Sequence, residues 1–124
     1  MEKYAVIAVG AVLGAWSRHW LGEWSLQRWG SGFAYGTLLI NLLGSFVLGF
    51  FLALHLDKGL FSNNLRLLVA VGWCASFTTY STFSWDTLRY LQEGRFQLAA
   101  WNMGLTLGGC LLATWVGFLL AKWV

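Results

Sequence analysis

Long uncharged stretches, separated by short clusters of charge, organise this chain. Tyr4 to about Trp24 is apolar through Trp16 and then interrupted by Arg18 and His19. Phe33 to Leu56 carries no charged side chain unless His55 is protonated, and Leu67–Trp85 and Phe96–Ala121 carry none. Each stretch has the length of a helix that crosses a bilayer, which needs about 20 apolar residues. The 24 residues from Phe33 to Leu56 would extend about 36 Å at about 1.5 Å per residue. A hydrocarbon core of about 30 Å is then crossed with some tilt. The pattern predicts four helices over about residues 4–24, 33–56, 65–91 and 96–123, forming one transmembrane domain over residues 1–124.

Composition agrees with that reading. Hydrophobic residues make up 58% of the 124 positions and charged residues 10%, too apolar a balance for a soluble domain. No small-x-small site closes the first apolar run, which ends in Trp16, Ser17 and Arg18, so a cleavable signal peptide is not expected. Most of the nine Trp lie near expected span ends, as in an interfacial aromatic belt. Cys74 and Cys110 fit no zinc or redox spacing and read as packing residues. Gly10 with Gly14, and Gly104 with Gly108, are small-xxx-small steps that let helices approach closely in lipid.

The net charge of +3 matters less than where the charges fall. With an even number of spans, Lys3, Lys58, Arg66 and Lys122 share one side of the membrane, and Arg18, Arg28, Arg89 and Arg95 the other. Lys/Arg asymmetry sets orientation, and four against four gives none. Such a chain is expected to insert both ways. Its expected surroundings are a lipid bilayer, with no nucleic-acid partner.

The third stretch places seven hydroxyls in nine consecutive positions: Ser76, Thr78, Thr79, Tyr80, Ser81, Thr82 and Ser84. A polar group in hydrocarbon costs several kcal/mol unless paired, so this segment must face protein, water or an ion. Either the helix unwinds here near the midplane, freeing carbonyls for a cation, or the hydroxyls bond back to their own helix. Asn41 sits mid-way along the second stretch, with Thr37 one turn before it and Ser45 one turn after. It reads as helix glue or as a polar site. Thr106 and Thr114 on the fourth stretch, with Cys110 between them, extend a polar track; Asn102, one turn before Thr106, reads as interfacial.

No acidic residue falls at a span centre, since Glu2, Glu23, Asp57, Asp86 and Glu93 all lie at span ends or in loops. Proton-coupled transporters use intramembrane ionisable groups as relays. The expected cargo therefore moves passively past neutral donors. Arg18 either snorkels to the interface or makes an electropositive vestibule for an anion. No catalytic residue is assigned and no enzyme is expected.

These residues resemble the Fluc (CrcB-type) fluoride channel family along essentially the whole chain. The resemblance is carried by Gly10, Gly14 and Arg18, by GTLLINLLGSFVLGF from Gly36 to Phe50, and by TTYSTFS from Thr78 to Ser84. It implies an antiparallel, dual-topology homodimer in the cell inner (plasma) membrane that exports cytoplasmic fluoride and so protects the cell. It also implies a structural sodium ion at the dimer interface, held by backbone carbonyls of Ala75 and Thr78 at a broken third helix. Asn41, Tyr80, Phe83, Ser81, Thr82, Thr37, Thr106 and Thr114 would line the fluoride pathway, with Arg18 and Asp86 at its vestibule. Aromatic ring edges carry the positive end of the quadrupole, so Tyr80 and Phe83 would face the anion without trapping it.

Three positions depart from the family pattern: Tyr80 for a usual Phe, Ala75 and Ser76 for a usual Gly pair, and Asp86 for a usual Glu. Two other functions fit the sequence less well. A proton-coupled exporter of the small multidrug resistance type needs a carboxylate midway along the first span, where this chain has none. A non-transporting assembly subunit would gain little from so costly a polar segment.

Overall fold

A computed structural model describes residues 1–124. Helix α1 spans Glu2–Trp29 and α2 spans Tyr35–Lys58. A third segment is assembled from a single turn, α3 (Asn63–Arg66), a π-helical stretch (Leu67–Cys74) and a last turn, α4 (Ala75–Phe77). After Thr78 and Thr79 the chain resumes as α5 (Tyr80–Gln92), and α6 (Phe96–Trp123) completes it. The protein is all-helical.

Two of the four expected spans, α2 and α6, are long and apolar enough to cross a membrane by length and composition. α1 has 28 residues but carries Glu2, Lys3, Arg18, Glu23 and Arg28 along its length. The third segment is interrupted. α1 also runs past its expected end at Trp24 and stops at Gly30, whose φ of 74° suits a residue without Cβ. The connections are correspondingly short, and Gly59 ends α2 in the left-handed region in the same way.

Close glycine contacts decide which helices pair. Gly10 and Gly14 lie directly against the π-helical stretch: a Cβ on Gly10 would overlap the Leu68 carbonyl, and one on Gly14 the Trp73 carbonyl. Gly72 faces Gly10 in return, so it serves close approach rather than unwinding. The Trp73 indole N–H donates to Ser17 Oγ at 3.3 Å across this contact. Gly49 and Gly117 do the same for α2 and α6, each abutting the other helix's backbone at Thr114 and Phe46. Gly104 and Gly108 have nothing within 4 Å, so that second small-xxx-small step lies on an open face of α6.

The break at Thr78 and Thr79 carries the third segment from one flank of the molecule to the other. Before it, the π-helical stretch and α4 pack on α1; after it, α5 packs on α6. α2 touches both halves. A straight helix could not serve both neighbours. π-helical turns concentrate at functional sites, and this one leads directly into the break.

Candidate functional site

Thr78 has φ −75° and ψ 153°, and Thr79 has φ −147° and ψ 112°, so two extended residues separate α4 from α5. In an extended residue the N–H and C=O point to the same side, as in a hydrogen-bonded strand pair. Asn41 of α2 occupies that side. Its Oδ1 accepts from the Thr79 N–H at 2.8 Å, and its Nδ2 donates to the Thr79 carbonyl at 3.0 Å. The Asn41 side chain thus replaces the missing strand, at 7% exposure. One N–H of its amide remains for another acceptor.

The hydroxyls complete the break from the other side. Thr79 caps α5, its Oγ1 accepting from the Thr82 N–H at 3.2 Å and donating to Thr82 Oγ1 at 2.9 Å. Ser81 Oγ lies 3.4 Å from the same oxygen. Back-bonding also occurs: Thr78 Oγ1 donates to the Cys74 carbonyl at 2.9 Å and Ser84 Oγ to the Tyr80 carbonyl at 3.1 Å. The two alternatives posed by the sequence therefore coexist, with hydroxyls returning to the backbone on both sides of an unwound pair.

The carbonyls of Ala75, Ser76, Phe77 and Thr78 lose their helical donors in consequence. In a continuous helix Ala75 C=O would accept from Thr79 N–H, and Thr78 C=O from Thr82 N–H. Those donors are spent on Asn41 and on Thr79 Oγ1. Ala75 and Thr78 are the pair implied as sodium ligands, and two under-occupied carbonyls beside a helix break suit a hard cation.

All but two of the sequence-derived site residues fall around two cavities that share Thr79. Asn41, Tyr80, Phe83, Thr106 and Thr114 line one of about 590 Å³, together with Ser45 and Cys110. Thr106 Oγ1 is buried and without a partner in the chain, while Thr114 Oγ1 donates to the Cys110 carbonyl at 2.9 Å. The Tyr80 and Phe83 rings lie 5.5 Å apart at 56°. Tyr80 is 79% exposed and faces outward from the single chain.

Arg18, Asp86, Thr37 and Thr82 line the other cavity, of about 440 Å³, with Glu23 and Arg89 nearby. Thr37 Oγ1 donates to Asp86 Oδ2 at 3.2 Å. Thr37 and Thr82 thus line the cavity of the charged residues and not the one lined by Phe83. Ala75 and Ser81 line neither cavity.

Neutral hydroxyls and an amide line the cavity on one side of the clamped break, and mixed charge lines the cavity on the other. The family described as "CrcB-like protein, Camphor Resistance (CrcB)" matches residues 5–118. The chain belongs to the CrcB family. A relative from Sulfurihydrogenibium sp. (strain YO3AOP1), named fluoride-specific ion channel FluC, is 42% identical over 98% of each chain. One from Symbiobacterium thermophilum, named fluoride-specific ion channel FluC 2, is 45% identical over 96% of this chain and 98% of its own. A third, from Anaeromyxobacter sp. (strain K), also named fluoride-specific ion channel FluC, is 36% identical and covers the whole of this chain.

One polar pair in this CrcB chain escaped sequence reasoning. Asn102 is fully buried within the chain, and its Nδ2 donates to Thr87 Oγ1 at 2.9 Å. Thr87 lies just beyond the dense hydroxyl run. The signal was its position one turn after Phe83, the mirror of Asn102 one turn before Thr106.

Proposed function

We propose that this chain is one protomer of a passive, fluoride-selective channel. The observation that carries it is the Asn41–Thr79 clamp, set where the neutral cavity meets the charged one. Fluoride holds its water tightly, so a selective pore must offer several convergent donors at close range. The spare Asn41 N–H and the unpartnered Thr106 hydroxyl, on residues that line one cavity, would serve as such donors, and the Phe83 ring edge would add a weak electropositive contact. None carries a charge that would hold the ion. Arg18 offers attraction at the mouth, in the cavity that also holds Asp86. The close, full-length relatives named as fluoride channels support the same reading.

The reading extends to the assembly. Four spans, α1, α2, the broken third segment and α6, form a single multi-pass domain in the inner membrane. The even division of Lys and Arg favours insertion in both orientations, hence an antiparallel homodimer. Ala75 and Thr78 would supply carbonyl oxygens to a structural sodium ion at its interface. That ion would supply positive charge against the carbonyl dipoles left over by the break.

Export from the cytoplasm is tested by growth. Expression in a bacterium lacking its own fluoride defence should restore growth in fluoride medium. No restoration by correctly inserted protein would contradict the proposal.

A further inference from the structure

We propose that Asn102 and Thr87 are positioning residues that set the width of the anion path between Phe83 and Thr106. The inference rests on the channel reading above and deepens it. The Thr87 hydroxyl has one proton, and it goes to the Phe83 carbonyl at 2.8 Å. It can then only accept from Asn102, which fixes the amide orientation of a side chain with 0% exposure. Asn102 Nδ2, Thr87 Oγ1 and the Phe83 carbonyl form one continuous chain of hydrogen bonds.

The placement of that chain gives it its role. α5 and α6 are an antiparallel pair joined by the short turn at Glu93–Arg95. Thr87 lies one turn past Phe83 towards the turn, and Asn102 one turn before Thr106 on the same side. The bond therefore ties the two helices together one turn below the level where Phe83 and Thr106 line the cavity, and neither Asn102 nor Thr87 lines it. Asn102 Oδ1 remains buried with no partner in the chain. An unmatched buried acceptor is costly, and a leucine would fill the site without that cost. The one bond that the amide makes in the chain is the one to Thr87.

Fixed separation matters most for a small anion. If α5 drifted from α6, donors spaced for fluoride would no longer converge, and larger anions would fit. The pair thus acts on selectivity rather than on assembly.

The test compares Thr87→Val, Asn102→Leu, the double variant and Thr87→Ser, each reconstituted in liposomes. It measures the fluoride-to-chloride flux ratio and the fraction eluting as the native assembly. Each of the first two should lower the ratio by about tenfold. The double variant should be no worse than the lower single, because one bond is lost only once. Thr87→Ser keeps the hydroxyl and should keep the ratio. A purely structural role would reduce the amount of active protein without changing the ratio. An unchanged ratio in intact Thr87→Val or Asn102→Leu overturns the inference. Loss of assembly in both overturns it too, since the bond would then hold the fold. A parent protein that carries no fluoride overturns the channel reading itself.

Discussion

Asn41 binds Thr79 through both of that residue's backbone groups, at 2.8 and 3.0 Å. This single contact connects most of the molecule's special features. It holds open the break that moves the third segment from α1 to α6, and it withdraws the Thr79 N–H from Ala75. It also positions the remaining amide N–H of Asn41 at the wall of the larger cavity.

Asn41→Asp separates these roles by chemistry. One carboxylate oxygen can still accept from the Thr79 N–H, but the other meets the Thr79 carbonyl, oxygen against oxygen. Fluoride flux should fall by about one to two orders of magnitude, matching a loss of about 1–3 kcal/mol for a spoiled buried bond. Size-exclusion elution should remain that of the parent. Parent-like flux would mean that the clamp is dispensable to conduction.

Phe83→Ile and Tyr80→Phe test the ring edges. Phe83 is half-buried in the cavity wall, and isoleucine keeps apolar bulk there while removing the quadrupole. Flux measured by a fluoride electrode should be lost in Phe83→Ile, with assembly intact. Tyr80→Phe removes only a hydroxyl and should conduct at least as fast as the parent. If Tyr80→Phe abolished flux, the hydroxyl would be an essential ligand.

The sequence displayed the need for this site more clearly than its form. Seven hydroxyls in nine positions required a polar environment in the third segment, and Asn41 was visible as an amide in an apolar helix. What periodicity could not show was their pairing, because Asn41 and Thr79 are 38 residues apart and meet only once α2 has packed. The π-helical stretch was equally hidden, since LLVAVGWC reads as ordinary apolar helix. It forms where the Gly10 and Gly14 face of α1 presses on it. Gly104 and Gly108 show the converse: the same motif as Gly10 and Gly14, with no helix of this chain opposite. The bond from Asn102 to Thr87 was hidden because Thr87 lies outside the dense polar run.

The two glycine classes should respond differently to substitution. Gly49→Val places a branched side chain onto the Thr114 carbonyl, where only backbone could give way. α2 and α6 should separate, and little folded protein should be recovered in detergent. Gly104→Ala meets nothing within 4 Å in the chain and should fold as the parent does. Equal recovery of both variants would contradict the α2–α6 contact.

Topology is tested by charge. Adding two or three Lys to a loop on one side should force a single orientation, since the proposed four-span topology divides the basic residues four and four. The biased chain alone should give no fluoride flux, and co-expression with an oppositely biased copy should restore it. Activity of the biased chain alone would favour a parallel dimer or a monomer.

Anion efflux from liposomes loaded with equal fluoride and chloride tests the central claim most directly. A potassium ionophore supplies the counter-current, and pH is held equal on both sides. The account predicts that fluoride leaves rapidly, chloride stays, and efflux stops when the ionophore is omitted. Efflux that required a proton gradient, or that released chloride as readily as fluoride, would contradict it.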